Sequence, residues 1–272
     1  MVLPIGDVNP TRRFAVVSWT LVVVNVAVFL LLQLPLAGCD LEVFIYRYGA
    51  IPRELTSLSP LPPGELEALL GACAAEVAGK DVGVSAVTAM FLHGNLAHLL
   101  GNMLYLAIFG PNVEDRLGRL RFVAFYLVGG VAATATFALM RPGSLIPLVG
   151  ASGAIAAILG AYLIVFPRAK VFTLVPFPLY LVALVLPKVR IRAWLIFFAV
   201  VSLPAWLLLA AWFAMQFVAV RSPVSDGVAY EAHVAGFVAG IVLLLLLDRR
   251  RHRRGQPTFH PVRRPPRPQG PW

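Results

Sequence analysis

Six stretches of this chain are long and apolar enough to cross a lipid bilayer, and that limits its fold more than any other feature. They are Phe14–Leu36, Gly94–Gly110, Phe122–Met140, Leu148–Phe166, Ala193–Val220 and Val228–Leu247. Crossing about 30 Å of hydrocarbon at 1.5 Å per residue takes about 20 residues. Within lipid every backbone polar group needs a partner inside the protein, so such runs are read as helices. A further apolar run, 171–187, holds Pro176, Pro178 and Pro187. Each proline removes an amide donor, so this run reads as a loop or re-entrant segment. The expected fold is an all-α polytopic membrane protein with six transmembrane helices. Composition agrees: 59% of the chain is hydrophobic and 13% charged, against about 25% charged for a soluble domain.

The basic residues orient the spans. With both ends cytoplasmic, every Lys and Arg except Arg47, Arg53, Lys80, Arg141 and Arg221 falls on the cytoplasmic side, as positive-inside bias requires. A seventh span would place "DRRRHRR" at 248–254 outside. The net charge of +10 therefore reflects topology and anionic lipid, with no nucleic-acid partner implied. Residues 1–13 are expected to form a cytoplasmic amino terminus and 14–247 the membrane domain. The Pro-rich basic tail, 248–272, is expected to be disordered. In the outside segment, 38–88, Leu66, Leu69, Leu70, Cys73 and Val77 recur at helical spacing, predicting an amphipathic helix on the membrane surface. Cys39 and Cys73 lie in the same segment, in a compartment that permits a disulfide, with free thiols the alternative. "LAGC" at 36–39 resembles a lipoprotein processing box. The apolar run before it exceeds a signal core, so the first helix is expected to be retained.

Three motifs carry polar groups that lipid normally excludes: "HGNLAHLLGN" at 93–102, "GASG" at 150–153 and "AHVAGFVAG" at 232–240. The second, fourth and sixth spans all run from outside to inside. His98, Asn102, Ser152 and His233 then fall within about one turn of a common depth, in the outer half of the membrane. A serine becomes nucleophilic when a base takes its proton, which assigns Ser152 and His233 as a catalytic pair. Ser152 opens a helix, where backbone N–H groups lack partners. Its amide, Asn102 and His98 are the candidate oxyanion donors. Gly153, Gly236 and Gly240 supply small surfaces through which the fourth and sixth helices approach. His93 is five residues from His98, off its helical face, and reads as a loop or support residue. No H-E-x-x-H pattern is present, so neither a metal nor another cofactor is expected.

In this order and spacing, "MFLHGNLAHLLGNMLYLAIFGPNVEDRLG" at 90–118, "GASGAIAAILGAY" at 150–162 and "AHVAGFVAG" resemble the rhomboid intramembrane serine proteases. The resemblance runs from about Tyr48 to Leu245. It implies a rhomboid-like bundle, Ser152 as nucleophile, His233 as general base, and His98, Asn102 and the Ser152 amide as the oxyanion site. It further implies single-span or membrane-anchored protein substrates, cut near the outer face after a small residue, with the fifth helix a suggested lateral entry. Two departures stand out. Some members carry an aromatic four residues after the serine, supporting the base, where this chain has Ala156. The stretch 167–201 is longer than usual. The alternative is a catalytically inactive rhomboid-like protein that binds or escorts membrane proteins, although such relatives typically lack one or both of the pair. A small transporter is disfavoured because the polar groups gather near one face. A bacterial plasma membrane is the expected location.

Overall fold

The computed structural model describes residues 3–77, 79–176, 190–194, 198–221 and 227–248. Along the chain run β1 (Leu3–Asp7), α1 (Val16–Ala27, continued by a π-helical segment to Gln33), α2 (Cys39–Tyr48), α3 (Pro52–Ser57), α4 (Pro63–Leu70), α5 (Val82–Thr88), α6 (Leu96–Leu117), α7 (Arg119–Met140) and α8 (Ser152–Val165). Then follow β2 (Lys170–Pro176), β3 (Arg190–Trp194), β4 (Phe198–Pro204), α9 (Ala205–Ala219) and α10 (Tyr230–Leu247). The expected bundle of membrane helices is α1, α6, α7, α8, α9 and α10. Four of them, Val16–Gln33, Leu96–Leu117, Arg119–Met140 and Tyr230–Leu247, are long and apolar enough to span a membrane by length and composition.

The other two are short for separate reasons. Helix α8 has 14 residues, about 21 Å at 1.5 Å per residue, and is enclosed, with every residue from Ala154 to Tyr162 buried. The span predicted at 148–166 therefore begins as non-helical backbone. Such backbone is tolerated at membrane depth only where protein surrounds it. Leu148 and Ala50 exchange both backbone hydrogen bonds, at 2.8 and 3.1 Å, and the Gly150 amide donates to the Ala89 carbonyl at 2.8 Å.

Helix α9 corrects the fifth predicted span. The apolar run 193–220 predicts one helix, but 198–204 is a strand and the helix starts at Ala205. Apolarity alone does not separate a short buried strand from a helix. Here β-branched Val200 and Val201 and the stop at Pro204 favour the strand. The strands form an antiparallel sheet ordered β1–β2–β4–β3. Part of the predicted re-entrant run is thus strand β2, while 177–187 lies outside the described residues. The amino-terminal segment joins the sheet through β1, paired from Leu3 opposite Leu174 to Asp7 opposite Val171. Asp7 Oδ2 accepts from Tyr162 Oη at 2.6 Å and Asn112 Nδ2 at 2.9 Å, clamping the sheet onto the closing ends of α6 and α8. The predicted disordered tail, beyond Asp248, also lies outside the described residues.

The segment predicted to lie outside makes its own small core. Leu66, Leu70, Ala74 and Val77 pack on Val43, Ile51 and Leu61, so most of the apolar stripe is used inside the segment. Only Leu69 of the predicted stripe is exposed. Two covalent and ionic links close this fold. Cys39 is bonded to Cys73. Lys80 Nζ pairs with Glu54 at 2.5 Å and donates to the carbonyls of Tyr46 and Gly49 at 2.7 and 2.8 Å. Burial pulls the Lys80 ammonium below its ordinary range, and Glu54 opposes that shift.

Helices α8 and α10 meet backbone to backbone. A side-chain carbon at Gly236 would overlap the Gly153 carbonyl, and one at Gly240 would overlap the Ala157 carbonyl. Gly160 faces the Phe237 carbonyl in the same way. The bare side of Gly153 faces Ala133 of α7, where a Cβ would come within 2.7 Å. Gly153 therefore makes the α7 contact, while its carbonyl makes the α10 contact. Gly240→Val is expected to lower stability by about 3 kcal/mol, since the added atoms press on backbone that cannot yield. Gly64→Ala, with nothing within 4 Å of the added carbon, should leave the thermal midpoint in detergent unchanged. Cys39→Ser is expected to cost about 2–4 kcal/mol, and non-reducing peptide mapping should recover Cys39 and Cys73 as one cross-linked pair.

Candidate active site

The polar residues of the three motifs converge where α6, α8 and α10 begin. His98 and Asn102 sit in the first two turns of α6, which starts because the Asn95 side chain accepts from the His98 amide at 2.8 Å. Ser152 is the first residue of α8 and His233 lies in the first turn of α10. The glycine contacts between those two helices bring His233 Nε2 to 2.9 Å from Ser152 Oγ. Both residues are half-buried.

Gly150 shapes the remaining wall. Its φ of +123° is one that residues with a side chain rarely adopt, and a Cβ there would stand 2.8 Å from His98 Cε1 and Nε2 and 3.5 Å from Asn102 Nδ2. Only glycine lets the loop before Ser152 lie against these two side chains. His98 Nδ1 accepts a long hydrogen bond from the Gly94 amide at 3.4 Å, which leaves Nε2 as the protonated nitrogen facing the loop. Asn102 is buried, and its Nδ2 has no hydrogen-bond partner among the described residues. A buried donor left unpaired is costly, so this amide is a donor waiting for an acceptor.

Two supports beneath the site were only partly legible in the sequence. His93 is fully buried 5.2 Å from the His98 ring. Its backbone N–H donates to Gln33 Oε1 at 3.1 Å, and Gln33 Nε2 donates to its carbonyl. The loop or support role read for it agrees with this placement. Burial, followed by the nearby His98, pushes the His93 imidazole down to about 4, keeping it neutral.

The sequence reading missed Gln216 of α9, whose Oε1 lies 2.8 Å from His233 Nδ1. The indole of Trp212, one turn earlier, lies 6.0 Å from the His233 ring at 33°, and Tyr230 stands edge-on at 6.4 Å. Ala156 supplies no ring, and its Cβ would be 3.2 Å from a carbon added at Gly236. A lone glutamine in an apolar run was the available signal, since lipid charges heavily for an unpaired amide. Among the described residues no group of three or more His, Cys, Asp or Glu side chains could hold a metal ion.

Comparison with known proteins covers the same residues. Rhomboid protein 1, mitochondrial, of Saccharomyces cerevisiae is 28% identical over 182 residues, which is 64% of this chain and 45% of the yeast protein. RHOMBOID-like protein 4 of Arabidopsis thaliana is 32% identical over 148 residues, 52% of this chain and 37% of that one. RHOMBOID-like protein 6, mitochondrial, of Arabidopsis thaliana is 39% identical over 77 residues, 28% of this chain and 24% of that one. The chain thus spans less than half the length of each of these relatives. A bacterial protein is also similar: the putative rhomboid protease YdcA of Bacillus subtilis is 33% identical over 93 residues, 32% of this chain and 46% of that one. The model of the Rhomboid domain matches residues 82–250, more than half of the chain, and with it α6, Ser152 and His233: this multi-pass integral membrane protein belongs to the rhomboid family.

Proposed function

We propose that the chain is an intramembrane serine endopeptidase that cuts membrane-anchored proteins in or next to their transmembrane segments. The observation that carries this reading is the 2.9 Å approach of His233 Nε2 to Ser152 Oγ, beside a buried amide of Asn102 with no partner among the described residues. Ser152 Oγ attacks the scissile carbonyl carbon as its proton passes to His233 Nε2. The carbonyl oxygen becomes an oxyanion held by the Ser152 amide, Asn102 Nδ2 and His98 Nε2. The imidazolium then gives its proton to the leaving nitrogen, the peptide bond breaks, and an acyl-serine remains. Water repeats the sequence and frees the serine.

The site's depth supports the substrate class. Helix α8, with 14 residues, is too short to reach both faces of a bilayer, which supports a serine set beneath one surface. A substrate must bring an extended peptide bond to that level, which favours a helix that unwinds easily at its top. Counting charges along the spans supports an orientation with both termini cytoplasmic and the serine near the outer face. Residues 14–247 then act as one catalytic membrane domain.

A fluorophosphonate probe should label the wild-type protein in detergent, and Ser152→Ala should abolish labelling. His233→Ala should reduce cleavage of a model transmembrane substrate in liposomes to background. An unlabelled wild-type protein would instead favour the inactive relative that binds or escorts membrane proteins. Asn102→Ala is expected to lower kcat about 100-fold with little change in KM, the usual loss for one oxyanion donor; unchanged kcat would remove it from the oxyanion site.

A further inference from the structure

An imidazole serves as base toward Ser152 only in one tautomer: Nδ1 must carry the proton so that Nε2 offers its lone pair. Something on the far side of the ring has to select that tautomer and hold the ring's plane. A carboxylate is the usual choice, and the nearest one along the chain, Glu231, has turned away. Its Oε1 accepts from Arg141 Nε and Nη2 at 2.9 and 2.5 Å. The group that does face Nδ1 is the carboxamide of Gln216, with Oε1 at 2.8 Å. Such an oxygen only accepts, which favours the proton on Nδ1. A neutral amide also adds no charge at a depth where charge is expensive.

Helix α9 is built to present this amide. Trp212 and Gln216, at i and i+4, share a face, and that face is turned to α10: the indole lies across His233 and, at 6.1 Å, Phe237. After Leu209 the helix buries no further residue; this half of α9 meets α10 through Phe213 on Phe237 at 4.6 Å and through Trp212 and Gln216 on His233. At its start α9 is tied down, with Ala205 N–H donating to the Ala169 carbonyl at 2.8 Å and Trp206 N–H to Pro167 at 2.9 Å.

We propose that Gln216 is the positioning residue of His233, so that the serine–histidine pair of α8 and α10 is completed by a carboxamide from α9. The proposal rests on the reading of His233 as general base. Gln216→Leu, which removes the acceptor and keeps the bulk, is expected to lower kcat about tenfold with KM changed less than about twofold, and to slow fluorophosphonate labelling by a similar factor. Gln216→Glu, which can accept the same proton, should recover most of the loss. Nitrogen-15 histidine NMR of the full chain in micelles, with the His233 signal assigned by its loss in His233→Ala, provides a readout that needs no activity. The wild-type ring is expected as the Nδ1–H tautomer, and Gln216→Leu should populate Nε2–H. Wild-type labelling rates in Gln216→Leu, or an Nε2–H ring in the wild type, would overturn the assignment. If the wild type carries the Nδ1–H ring but does not react at Ser152, the protease reading fails while the Gln216 bond stands.

Discussion

Two helices whose glycines rest directly on each other's backbone hold this molecule's polar centre together. Where α10 crosses α8, Gly236 rests on the Gly153 carbonyl and Gly240 on Ala157. Helices in lipid gain nothing from burying apolar surface against one another, so close backbone packing is a main source of their association. The same contact fixes the distance between Ser152 and His233, each within the first turn of its helix. Stability and geometry are therefore set by one seam. The seam continues sideways, since Gly129 meets the Ala157 methyl and Gly153 meets Ala133, which locks α8 between α7 and α10.

A central helix this enclosed has a cost at both ends, and much of the remaining structure answers it. At the serine end, non-helical backbone precedes α8, and there Leu148 and Gly150 bond to the backbone of Ala50 and Ala89. The disulfide-linked segment that supplies Ala50 thus closes the bundle over α8. At the other end, Tyr162 reaches Asp7 and ties α8 to the strand that begins the sheet. Glu114, near the close of α6, accepts from the Val17 and Ser18 amides at 3.0 and 2.7 Å. It thereby caps α1 from a neighbouring helix, a placement favoured by the positive end of the helix dipole.

The polar groups at the site are arranged without a buried carboxylate on the ring. Glu231 is paired with Arg141, and Gln216 takes the position behind His233. In the proposed reaction, the charge that develops would meet Asn102, His98 and the α8 amides. In a medium of low dielectric constant such preorganised dipoles act strongly and need no reorganisation.

The sequence by itself settled what lipid dictates. Long apolar runs gave the bundle, and the polar residues stranded within them, His98, Asn102, Ser152 and His233, singled out the site, because hydrocarbon tolerates few such groups. Small residues at helical spacing named Gly236 and Gly240 as contact points. The sequence could not separate strand from helix in 193–204, since both are equally apolar there and pairing is decided by partners far along the chain. It could not show that the Leu66–Val77 stripe would turn inward, because its partners Val43, Ile51 and Leu61 come from elements folded over it. Gln216 stayed hidden for the same reason: one amide in an apolar helix acquires meaning only when packing sets it 2.8 Å from an imidazole on another helix. Composition and spacing report how a residue suits its solvent, whereas the partner of a side chain is fixed by which helices touch.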